Sequence, residues 1–305
     1  MRIIWLSLFS LFVSLELSAQ KINLKLNLLK GNTYYHSITG ATKITEIIDD
    51  KEFNIEATIG CKTSFDIVDI KDTVYTVAVK YKSLTMKMKV QEKTYEFSSD
   101  AANKDDKVSK LLAEFIDKPF SVEMSTKGVL TKFGNIDTII ANMINQFPEI
   151  NIAQKQKVSQ QLVNAYGEKA FEGSFNMLTA MFPATKVAKG DKWVVTTKLE
   201  SGMAATLVTT YQLIDIGDSF YEIHGQSEMK TADKDAYKEV NGMPARYDLA
   251  GPMETSLKIS KVTGWIMEGK ITQTMKGNVE ITDNSDSSKI VIPMSYFGDI
   301  TVSGN

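Results

Sequence analysis

Few side chains in this sequence could do chemistry: His36 and His224 are the only histidines, and Cys61 is the only cysteine among 305 residues. A zinc site takes three or four Cys, His or carboxylate ligands, and one thiol with two distant histidines supplies no such set. His36 alternates with Tyr34 and Ile38 on one face of a strand-like run, while His224 falls in the opposite phase to Tyr221 and Ile223. Both read as ordinary strand histidines. Cys61 has only Lys62 beside it as an activating cation, so it reads as a small buried hydrophobe. With no second cysteine it forms no intramolecular disulfide.

Other motifs fail on specific residues. Gly225-Gln226-Ser227-Glu228-Met229 approaches the G-x-S-x-G of a hydrolase elbow, but Met229 stands where the sharp strand-to-helix turn needs glycine. No G-x-G occurs to cradle a phosphate. Asp233 and Asp235 have the spacing of a calcium loop, but Lys238 occupies its glycine position; Asp283-Asn284-Ser285-Asp286 lacks both that glycine and the distal glutamate. Both clusters read as solvated turns. No catalytic, cofactor-binding or metal-binding residue is assigned, and the expected class is non-enzymatic, with no cofactor.

What remains is apolar surface. Met143, Phe175, Met177 and Met181 lie on helical stretches with Phe171 and Phe182, in a chain with 14 methionines. Such a stripe either fills a core or lines a site for an apolar ligand, because methionine is flexible and adapts to irregular shapes. These four residues are the candidate ligand lining.

The elements that must position them follow from periodicity. Ile22, Leu24, Leu26 and Leu28 alternate with polar residues, and further alternating runs cover Lys43 to Ile48, Phe53 to Cys61, Ser64 to Ile70 and Val74 to Val90. Short breaks such as Asp49-Asp50 and Lys71-Asp72 imply antiparallel hairpins. Within the last run the apolar phase changes from Val77, Val79 and Tyr81 to Leu84, Met86, Met88 and Val90, which predicts a bulge near Lys82-Ser83 and leaves Lys87 and Lys89 facing water. Helical spacing then governs Val108 to Ile116, Ile136 to Ile144, Ile152 to Tyr166 and Ala170 to Phe182, with Pro119, Pro148 and Pro183 as stops. The expected class is α+β, mainly antiparallel β.

Strands resume after Pro183 in a familiar order. Lys30-Gly31-Asn32-Thr33-Tyr34 is echoed by Lys189-Gly190-Asp191-Lys192-Trp193, and Thr63 to Tyr75 aligns without a gap on Thr209 to Tyr221. Ser121 to Leu130 is echoed by Ser256 to Ile266 with one extra turn residue. Three echoes in one order predict an internal duplication: two curved-sheet half-repeats, about 20–134 and 184–305, with a helical segment at about 104–182.

At the N-terminus, Arg2 precedes an apolar run of about 13 residues, Ile3 to Leu15. That is shorter than the ~20 residues of a membrane-spanning helix and reads as a secretory signal. Cleavage is expected between Ala19 and Gln20, giving a single mature domain at 20–305, in the periplasm or secreted, with no membrane insertion. The formal net charge of −2 argues against a nucleic-acid partner.

The signal end at Ala19-Gln20, the openers at Lys30 and Lys189 and the strand-turn-strand Tyr211 to Ile223 resemble a family of exported β-rich proteins of unknown function common in Bacteroidetes. The resemblance implies an extracytoplasmic location and a β-rich fold, and it carries no catalytic residue. The leading expectation is therefore a binding or carrier module for a lipophilic small molecule; the alternative is a structural component of the cell envelope with a protein partner.

Overall fold

The computed structural model describes residues 21–100, 106–145, 147, 151–199, 204–240, 242–282 and 288–305. The expected signal and its cleavage point at Ala19 and Gln20, and the Asp283–Asp286 cluster, lie outside the described residues.

Alternation becomes strand wherever a neighbour can take up the backbone hydrogen bonds. The first half supplies β1 (Thr33–Ile48), β2 (Lys51–Lys71), β3 (Val74–Val90), β4 (Lys93–Ser98), α1 (Lys107–Phe115), β5 (Phe120–Ser125) and β6 (Leu130–Gly134). Three helices follow: α2 (Ile136–Asn145), α3 (Ile152–Tyr166) and α4 (Glu168–Thr179). The second half supplies β7 (Lys192–Leu199), β8 (Ala205–Ile216), β9 (Phe220–Thr231), β10 (Lys238–Val240), β11 (Met243–Ser260), β12 (Ile266–Thr282) and β13 (Lys289–Gly304). All belong to one antiparallel sheet ordered β6-β5-β3-β2-β1-β13-β12-β11-β9-β8-β7, with β4 beside β3 and β10 beside β11. The fold is thus α+β and mainly antiparallel, but the two halves are not separate sheets, because β1 pairs with β13 from His36↔Gly304 to Glu46↔Met294. The stretch expected to be helical at 104–182 also contains the β5–β6 hairpin, which pairs with β3.

The same local geometry occurs in both halves. Gly31 and Gly190 donate their N–H groups to Ile67 and Leu213, and Lys30 and Lys189 pair with Asp69 and Asp215 at 2.7 and 2.6 Å. The register shifts between Ile67 and Asp69 in β2, and between Leu213 and Asp215 in β8. Each hairpin has equivalent neighbours, β1 and β5 around β2–β3, β7 and β11 around β8–β9. A further shift falls where the apolar phase changes: Lys62 pairs with Ser83 and Thr63 with Tyr81, leaving Lys82 as the extra residue.

The run from Ile22 to Leu28 departs from its expectation as a strand. It stays extended with Leu24, Leu26 and Leu28 buried, but it bridges only at Ile22↔Val187. It crosses the end of the sheet as a strap, giving single hydrogen bonds from Leu26 and Asn27 to the carbonyls of Thr126 and Thr263. Gly264 makes this crossing possible. Its φ is +68°, and a Cβ there would lie 2.2 Å from the Lys25 carbonyl oxygen.

Helix α4 joins the two edges of the sheet. Asn176 Oδ1 accepts from Leu130 N at the start of β6, and Thr179 Oγ1 donates to the Gly128 carbonyl. On the other edge, Trp193 Nε1 of β7 donates to the Met181 carbonyl just past the helix. Asn151 and Gln154 form a capping box at the start of α3, which is why that helix begins where its apolar spacing does.

Candidate functional site

The four residues singled out as ligand lining fall in or against the core. Met143 and Met181 are each 1% exposed and Phe175 is 4%, all in one cluster with sheet residues, and Met177 packs against that cluster half-buried. Phe175 lies 5.4 Å from the ring of Phe65 and 6.4 Å from His36. None of the four lines either of two surface grooves. One groove, about 250 Å³, lies between the strap and the β11–β12 turn near Lys25, Tyr221 and Lys261. The other, about 310 Å³, lies between α4 and β7 and is bordered by Lys169, Glu172, Asn176, Thr196 and Lys198.

His36 holds a position that alternation placed but did not characterise. Its ring is 1% exposed, stacks on Trp265 at 4.2 Å and meets the edge of Phe65. Neither ring nitrogen has a partner among the described residues. Burial lowers its pKa from the ordinary 6.5 to about 3, so it is neutral. His224 is exposed and bonds Glu222 at 3.0 Å. Burial lifts the Cys61 thiol to about 11, against a weaker lowering from its contact with Thr63, which leaves it unreactive. Asp235 pairs with Arg246, and Gly225 to Met229 lies within β9.

The inner face of the sheet away from the strap shows a different surface. Register places Phe97, Met86, Ile59, Gly40, Ile300, Ile271 and Thr255 in one cross-strand row. The next row runs Tyr95, Met88, Ala57, Thr42, Gly298, Gln273, Met253, and a third runs Val90, Ile55, Ile44, Tyr296, Met275. Over β11 and β12 these positions are closed: Ile271, Met253 and Met275 are buried. Over β1, β2 and β3 they open, with Met86, Met88, Ile55 and Ile44 half-buried and Ile59 41% exposed. Asn54, Glu56 and Thr58 hold the opposite face of β2, so the strand presents an apolar side that the chain does not fully cover.

A stripe of neutral polar groups runs through the closed region from β8 and β9 to its border with the open one at β12 and β13. Thr209 and Ser227 hydrogen-bond at 2.8 Å, and Gln273 Nε2 donates to the half-buried Tyr296 hydroxyl at 2.7 Å. Sequence reading missed this stripe, since these four residues come from four strands and are joined only by register.

Sheet and site together define a one-sheet α+β protein with an incompletely covered inner face. The Family of unknown function (DUF6263) matches residues 72–266, more than half of the chain, and the chain belongs to that family. No curated protein matches it. A structure described as lipid-protein interactions in lipovitellin aligns with 92% of this chain and 25% of its own, at 10% identity and a TM-score of 0.49. The chain therefore spans about a quarter of the length of that protein. An outer membrane channel from Pseudomonas putida F1 aligns at 6% identity and a TM-score of 0.24, covering 92% of this chain and 98% of its own. The outer membrane protease OmpT from Escherichia coli gives 8% and 0.20, covering 91% and 97%. Among the described residues, no helix is long and apolar enough to cross a membrane.

Proposed function

We propose that this protein is a non-enzymatic extracytoplasmic module that binds a lipophilic small molecule on the open part of its inner face. The observation that carries this reading is the contrast along the rows, which are closed at Ile271 and Met275 but open at Met86, Met88, Ile55 and Ile59. Single exposed apolar residues are ordinary, whereas a contiguous apolar surface marks a site for a partner or ligand. Methionines at Met86 and Met88 suit a flexible chain of variable shape. The helices then act as a plug: Met143, Phe175 and Met181 fill one end of the concave side while the ligand takes the other. Export rests on the Ile3–Leu15 run and Ala19 alone. The recurring ion pairs, bulges and strand neighbours support descent of the two halves from one duplicated unit.

The test is native mass spectrometry of protein purified from its own host. The expected result is a mature chain carrying lipid-sized adducts that are lost on collisional heating, and a uniformly empty chain would contradict it. The alternative, a protein-interaction component of the envelope, is favoured by one feature, the edge strand β7 with Val194 62% exposed beside the α4 groove. Protein adducts in place of lipid would select that reading.

A further inference from the structure

The polar stripe on the inner face has two open hydrogen-bonding atoms. Gln273 is 8% exposed and Thr255 is 4%, yet Gln273 Oε1 and Thr255 Oγ1 have no partner among the described residues. Thr255 pairs with Ile271, and Gln273, two residues further along the same strand, pairs with Met253. The two are therefore diagonal neighbours on one face, about 7–8 Å apart between Cα atoms by sheet geometry. Buried polar atoms are almost always bonded, so an unpaired pair, with Gln273 at the border of the open apolar surface, points to a ligand group that completes it.

The chemistry of the stripe restricts that group. Gln273 Oε1 can only accept, so its missing partner is a donor, and the Thr255 hydroxyl can either accept from or donate to the same group. Thr209, Ser227, Thr255, Gln273 and Tyr296 include no cation to balance a carboxylate or phosphate. From Tyr296 the third row continues through Ile44, Ile55 and Val90, an apolar path of about 14 Å at ~4.8 Å per strand. We propose that the ligand is a neutral long-chain amphiphile whose head group carries a hydrogen-bond donor, a primary alcohol or amide, received by Gln273 and Thr255 with its tail along that row. This rests on the carrier reading and adds to it the class of head group.

The test is displacement of 1-anilinonaphthalene-8-sulfonate from the full protein by hexadecan-1-ol, hexadecanamide and methyl hexadecanoate, the last having no donor. The alcohol and the amide should displace the probe at about tenfold lower concentration than the ester, the value of one net hydrogen bond. Thr255→Val and Gln273→Met should erase that gap, with near-ultraviolet circular dichroism confirming the fold. Equal displacement by all three in the wild type, or a gap surviving in both variants, overturns the head-group assignment and leaves the carrier reading standing. Failure of all three to displace the probe overturns both.

Discussion

Acidification from pH 7 to pH 3 is expected to remove about 4 kcal/mol of folding stability through His36, because a titration displaced by one pH unit carries about 1.4 kcal/mol. The imidazole titrates at about 3 in the folded chain against an ordinary 6.5, and desolvation by burial is the cause. Between those values the unfolded chain binds the proton and the folded one does not. The contribution is thus fully present above about pH 6.5 and is lost as the pH falls toward 3. The rings of Trp265, Phe65 and Phe175 surround the imidazole, and none offers a charge to hold a proton. Other groups also respond to acid, as Glu280 is held down to about 2 by hydrogen bonds from Tyr237, Lys289 and Arg246. The measurement is therefore a difference, urea unfolding of wild type and His36→Phe from pH 7 to pH 4. His36→Phe should match or exceed the wild type at pH 7 and lead it by about 3 kcal/mol at pH 4. Parallel pH profiles would show that the folded protein takes up the proton without opening.

Phe175→Ala is expected to cost about 4 kcal/mol, the usual price of deleting a buried phenylalanine and leaving its cavity. The ring stacks on Phe171 at 5.8 Å, touches Phe65 at 5.4 Å and sits in the core cluster that joins α4 to β1 and β2. Because α4 also ties the edges β6 and β7 through Asn176 and the Met181 carbonyl, the loss should be felt across the whole sheet. Chemical denaturation should show one transition, shifted to lower denaturant with an unchanged slope. A separate early transition, with the sheet persisting, would mean that the helices are a detachable lid and not a plug.

How much of this was legible depends on whether a feature has a local cause. The bulge at Lys82 could be read because Tyr81 and Leu84 cannot share a face without it, and α3 could be bounded because its apolar spacing ends at Gly167. The inward direction of His36 followed from its phase with Tyr34 and Ile38. Its stacking on Trp265 did not, since the partner lies on the far side of the chain in sequence. The pairing of β1 with β13 was equally hidden, because nothing local distinguishes it from any other pair of alternating strands. The same limit explains the site. Met143 and Met181 look alike to Met86 and Met88 by residue type, and only the register of the sheet separates those sealed in the core from those left half-open.

That separation gives the most direct measurement, the spectrum of methyl-¹³C-methionine protein titrated with hexadecan-1-ol. Binding on the open rows predicts that Met86 and Met88 shift progressively with ligand, while Met143 and Met181 keep their free-state positions. Shifts confined to Met143, Met177 and Met181 would place the ligand among the helices, and a spectrum unchanged at saturating alcohol would contradict apolar binding altogether.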